Sequence, residues 1–132
     1  MTNDKQSVFE TILVQAETAF ERWYQGDPFA YLELMNEEMT YFSPFVNSRV
    51  DGKSAIEALV APIEGQIHVP KFEILNPEVQ LGESIAAFTF HLNEFDEDGV
   101  LMTGWKVTEI YRQVGGEWRM IHAHYSPIGE NQ

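Results

Sequence analysis

Up to Ala61, hydrophobic residues recur every three or four positions; from His68 onward they recur every second position. The first spacing is that of an amphipathic helix and the second that of a half-buried strand. Over residues 3–25, Phe9, Ile12, Leu13, Ala16, Phe20, Trp23 and Tyr24 form one apolar stripe. Asn3 or Ser7 is placed to cap this helix, and Ser7 with Glu10 has capping-box spacing. Gly26 ends it, and Asp27-Pro28 opens a second, short helix over Pro28–Met35 that buries Phe29, Leu32 and Met35. A strand is expected at Met39–Phe42 and a weaker extended piece at Asn47–Asp51. Asp51-Gly52 then turns into a third helix, Lys53–Ala61, with Ile56, Leu59 and Val60 inward. Pro62 and Gly65 stop it.

The period-two region divides into strands at 68–80, 84–96, 100–113 and 117–126. Gly115-Gly116 supplies the positive φ of a tight reversal, so the last two strands form a long antiparallel hairpin. Asn76-Pro77 removes a ladder donor inside the first strand, and a bend or bulge is expected there. Such a hairpin needs a covering layer. Helices followed by a four-strand meander read as one α+β domain over residues 1–132, with helices on one face of a strongly curved antiparallel sheet. The result is a cone with a pocket at its mouth.

Composition narrows the partners. The 132 residues carry a net charge of -13, which argues against nucleic acid and anionic membrane surfaces. There is no cysteine, so thiolate catalysis and zinc–thiolate sites are excluded. MTNDKQSVFE lacks an apolar run, so no secretory leader is expected. No stretch has the length of a membrane span. A cytoplasmic protein is the expectation.

Several blocks together resemble a known family. They are Gly26-Asp27-Pro28-Phe29-Ala30-Tyr31-Leu32, Tyr41-Phe42-Ser43-Pro44, Val50-Asp51-Gly52-Lys53-Ser54-Ala55-Ile56 and the final hairpin. They are similar to SnoaL-like members of the nuclear transport factor 2-like superfamily. Ile74-Leu75-Asn76-Pro77, Gly82-Glu83-Ser84, Trp118 and Ile121-His122-Ala123-His124-Tyr125-Ser126 resemble more closely the association domain of calcium/calmodulin-dependent kinase II and its bacterial relatives. The resemblance covers nearly the whole chain and implies the cone fold. It does not imply one chemistry, because the superfamily includes isomerases, dehydratases, cyclases, epoxide hydrolases and assembly modules.

In strand 84–96, Phe88, Phe90 and Leu92 share one face, and Thr89, His91 and Asn93 the other. Ordinarily the apolar face is core. The resemblance implies the reverse: the position matching His91 points into the cone, as do those matching Thr108 and Tyr125. In the association domain all three are typically arginines suited to a carboxylate ligand. This chain has His, Thr and Tyr, with Lys106 on the same face as a partial replacement for the charge. Trp23 and Tyr41 are expected on the wall. The candidate ligand-binding set is therefore Trp23, Tyr41, His91, Lys106, Thr108 and Tyr125. A solvated or core imidazole is the bland alternative for His91.

His122-Ala123-His124 has chelating geometry but no evident third ligand, so no metal and no cofactor are assigned. Glu94, Asp96, Glu97 and Asp98 read as a solvated hairpin tip. Among inward groups only His91 is then available as an acid or base, with Tyr41 or Tyr125 to polarise an oxygen.

The leading reading is a small-molecule-binding domain that forms a homodimer. Its rivals are a cofactor-independent isomerase, dehydratase or cyclase using His91, and a purely structural oligomerisation module. The implied inward set leaves Phe88, Phe90, Leu92, Trp105, Val107, Trp118 and Met120 on the outer face, an apolar patch that a dimer would cover.

Overall fold

The computed structural model describes residues 4–128. Helix α1 spans Lys5–Trp23 and starts at Asp4, whose Oδ1 accepts from the Ser7 N–H at 3.0 Å. Asp4 therefore takes the cap expected of Ser7 or Asn3, and Asn3 lies outside the described residues. The buried stripe of α1 is Val8, Ile12, Ala16, Ala19 and Phe20. Gly26 follows with φ 99°, and its carbonyl accepts from the Gly65 N–H at 2.8 Å. A Cβ on Gly26 would sit 3.2 Å from both Gly65 Cα and His68 Cε1, so the close crossing of these two segments favours glycine.

The expected helix at Pro28–Met35 is only a 3₁₀ turn over Leu32–Leu34. The chain becomes extended at Met35, and strand β1 runs Met35–Phe42, four residues earlier than the MTYF block suggests. One edge of the segment is held by Arg22, which reaches Asp27 and Glu33 at 2.7 Å each. Met35 and Met39 are both buried, so strand pairing and burial override a short helical spacing here. β2 is Val50–Asp51 and α2 is Lys53–Val60, with Ile56 buried but Leu59 42% exposed. The remaining strands are β3 (Lys71–Leu81), β4 (Ile85–Phe95), β5 (Leu101–Val114) and β6 (Glu117–Pro127).

The six strands form one curved, unclosed sheet in the order β2-β1-β6-β5-β4-β3. The last four strands pair antiparallel as expected, while β1 joins β6 in parallel and adds two strands to the meander. The register of β3 slips between Leu75 and Glu78, where Asn76 has φ 51°; this is the irregularity signalled by Asn76-Pro77. A second slip, on β6, pairs Ile110 with His122 but Tyr111 with Met120. Ile121 is the extra residue.

α1 lies across the inner face of the sheet. Phe9 meets Phe88 with ring centroids 6.4 Å apart, and Phe20 meets Phe90 at 5.9 Å. Phe88, Phe90, Leu92, Val107, Trp118 and Met120 are all buried in this core, and Trp105 packs against it. The outer-face assignment of these residues is thus corrected: hydrophobic alternation places them inside, as it does in an ordinary one-sided sheet.

Candidate ligand cavity

The cone holds a cavity of about 280 Å³ between the end of α1, the 3₁₀ turn, α2 and the inner faces of β1, β4, β5 and β6. Phe20, Trp23 and Tyr24 come from the last turn and cap of α1. Tyr41, Ser43, Trp105 and Tyr125 line the sheet side of the cavity. Backbone bonds from Val69 to the Tyr24 carbonyl and from Gly65 to the Gly26 carbonyl hold Ile67 and Val69 over the rim. The rings form a chain along the wall: Tyr41 to Tyr125 at 6.2 Å, Tyr125 to Trp105 at 6.2 Å, and Trp105 to Phe45 at 6.0 Å. Phe45 is 79% exposed, which puts it at the mouth.

The polar groups on this wall are few. Tyr24 donates to Glu94 Oε2 at 2.5 Å. Burial and the neighbouring Glu94 carboxylate push the Tyr24 phenol far up, and burial raises Tyr41 as well. Both stay neutral donors. Trp105 Nε1 is buried without a hydrogen-bond partner, alone in this among the side chains of the described residues. Among the described residues no lysine, arginine or histidine lines the cavity.

Behind the wall lies Glu109, with no exposed surface. Tyr31 donates to its Oε2 at 2.9 Å, Tyr111 to its Oε1 at 2.8 Å and Tyr125 to its Oε2 at 3.4 Å. Burial raises this carboxyl to about 7, against the opposing effect of the three phenols. Tyr31 and Tyr125 face the cavity as well, so they join it to the buried acid.

Of the six residues expected to bind ligand, Trp23, Tyr41 and Tyr125 line the cavity. His91, Lys106 and Thr108 do not. His91 pairs with Lys106, and Thr108 with His124, on the outer face of the sheet. There they border a shallow groove with Thr89 and Ser126, and His91 and Lys106 are exposed. The arrangement expected for these three is inverted by one residue, because their neighbours Phe90, Leu92 and Val107 occupy the inside. His91 therefore lies on the exposed outer face, away from the cavity. His122 Nδ1 lies 2.8 Å from Thr40 Oγ1 across the β1–β6 pair, and burial lowers its basicity. Among the described residues no three His, Asp or Glu side chains are grouped as a metal site.

Sequence reasoning missed two acids. Glu94 shares the parity of Phe88, Phe90 and Leu92, and Glu109 that of Val107 and Tyr111. Alternation by itself marks both as inward; a lone acid inside an apolar parity was the available signal.

The description "SnoaL-like domain" matches residues 14–130. No curated protein matches significantly. Among solved structures, a Parabacteroides distasonis protein described provisionally as a ketosteroid isomerase superimposes with a TM-score of 0.80 at 24% identity, over 92% of this chain and 88% of that one. An NTF2-like protein of unknown function from Pseudomonas putida gives 0.78 at 21% identity, over 92% and 87%. The association domain of C. elegans CaMKII gives 0.74 at 21% identity, over 95% and 99%. These likenesses establish the cone fold.

Proposed function

We propose that this chain, which belongs to the SnoaL-like domain family, binds a small, largely apolar molecule in the cone cavity. The observation that carries the reading is the cavity itself, about 280 Å³ lined mostly by apolar and aromatic side chains, among them Trp105, whose buried Nε1 has no partner. An unpaired buried donor costs about 1–3 kcal/mol, and a ligand oxygen placed against it recovers much of that. Apolar lining with a few convergent polar groups is the usual make-up of a small-molecule site. The test is thermal stabilisation by small aromatic ethers and ketones. Trp105→Phe should weaken them by up to about tenfold, the worth of one hydrogen bond, and leave a matched hydrocarbon unaffected. Ala123→Phe, which fills the cavity from its floor, should abolish both responses. Equal binding of ether and hydrocarbon to the parent protein would remove the role of Trp105.

A second reading, an isomerase-type enzyme, is favoured by the Glu94 carboxylate and the Tyr24 phenol in the same cavity. A carboxylate that takes a proton from carbon beside a carbonyl performs general base catalysis. Deuterium exchange into a bound cyclic ketone, lost in Glu94→Gln, would support it; no exchange above the rate in buffer would rule it out. Assembly through the outer face of the sheet is compatible with either reading.

A further inference from the structure

We infer that the ligand of the cone cavity is an organic cation, an amine on an apolar skeleton that carries a neutral oxygen acceptor, with its ammonium group at Glu94. The inference rests on the proposed binding function and specifies the chemistry of the ligand.

Among the described residues Glu94 is the one acidic side chain lining the cavity, and no basic side chain lines it. One of its oxygens accepts from Tyr24; the other has no partner among the described residues. Glu94 is half-buried at the cavity, and its second oxygen is left for an opposite charge. A bound anion would meet like charge there, and an uncharged ligand would leave that oxygen without a charged partner. An ammonium group supplies the missing charge and up to three donors. The rest of the wall suits the same guest. Trp23, Tyr24 and Trp105 put aromatic rings on the wall, and rings attract cations most strongly where water is excluded.

Register fixes the backbone spacing of the two residues. Leu92 pairs with Trp105, and Glu94 is two residues further along β4 on the same inner face. Glu94 and Trp105 are therefore diagonal neighbours, whose Cα atoms sheet geometry sets roughly 7–8 Å apart. One small molecule can place an ammonium on the first and an ether, hydroxyl or carbonyl oxygen on the second.

The test uses phenoxypropylamine, phenoxypropanol and phenoxypropionate, which share a ring and an ether oxygen and differ in terminal charge. Calorimetry on the full chain should show the amine binding about tenfold more tightly than the alcohol, and the carboxylate not at all. Glu94→Gln should remove the advantage of the amine and leave the alcohol within about twofold. A salt series on the unsubstituted protein gives an independent readout, since only amine binding should weaken as salt rises. If the alcohol or the carboxylate binds as tightly as the amine, or Glu94→Gln weakens amine and alcohol alike, the cation assignment fails and the cavity reading stands. If none of the three binds, both fail.

Discussion

A carboxyl with no exposed surface, held by three phenols, makes Glu109 sensitive to pH in a way that surface acids are not. Its folded value of about 7 lies above the ordinary 4.5, so the folded state keeps this proton longer than the unfolded chain does. Its contribution to stability is then fully present below about 4.5, falls as pH rises toward about 7, and is constant above that. The whole span is on the order of 3 kcal/mol. Asp27, Glu33 and Asp51 act in the opposite sense, because their arginine partners lower them. Glu109→Gln isolates the buried group. It keeps an acceptor for the tyrosines and removes the titration. Urea unfolding from pH 5 to 8 should show the variant losing less stability with rising pH than the parent protein; parallel curves would mean that Glu109 titrates normally. Because Tyr31 and Tyr125 touch both the acid and the cavity, ligand affinity is expected to follow the same range of pH.

At the scale of elements, the extra residue Ile121 decides which side chains of β6 face the cavity. Before it Trp118 and Met120 point inward, and after it Ala123 and Tyr125 do, although the two pairs differ in parity. Deleting Ile121 brings Trp118, Met120, Ala123 and Tyr125 to one parity, so a regular ladder keeps all four inward and the fold should survive. A melting temperature within a few degrees of the parent is the expected outcome; loss of folding would show that the bulge itself, and not the inward parity it preserves, is required. The same residue marks the limit of what the sequence reveals. The last four strands, the final hairpin and the irregularity at Asn76-Pro77 were legible, because glycine, proline and period two act locally. The bulge was not: Arg119-Met120-Ile121-His122 contains no glycine or proline to announce it. Strict alternation therefore put Trp118 and Met120 opposite Tyr125. For β4 and β5 the local signal was sound, and the resemblance pulled it the wrong way. Phe88, Phe90 and Leu92 are more apolar than Thr89 and His91, and burial follows that contrast. The short second helix failed for another reason: pairing with β6 recruits Met35 into a strand.

On the scale of the whole molecule, reversing the faces changes the case for self-association. The large aromatics once expected outside are internal, so an apolar patch no longer argues for a dimer. Charge does. The chain carries -13, yet the outer face of β4, β5, β6 and β1 presents His91, Lys106, Thr108, Arg112, His122 and His124. Glu38, its acid neighbour on β1, is paired with Arg112. Phe42 packs on His122 and His124 with centroids 5.7 and 5.2 Å away and is itself 38% exposed. Glu78 borders the same groove on β3, but the basic groups and histidines of this face outnumber it, so local repulsion between two copies is small here. Net repulsion between copies acts over roughly a Debye length, about 8 Å at physiological ionic strength, and salt weakens it. We therefore expect a two-fold pairing through this face that tightens as salt is raised. Sedimentation equilibrium at micromolar concentration checks it. Thr108→Glu puts an acid at the middle of the face and should give a folded monomer. Phe90→Glu should instead unfold the chain, since Phe90 is 3% exposed and packs on Phe20 and Phe88. A Thr108→Glu dimer as tight as the parent would move the contact elsewhere, and a folded Phe90→Glu protein would overturn the face assignment itself.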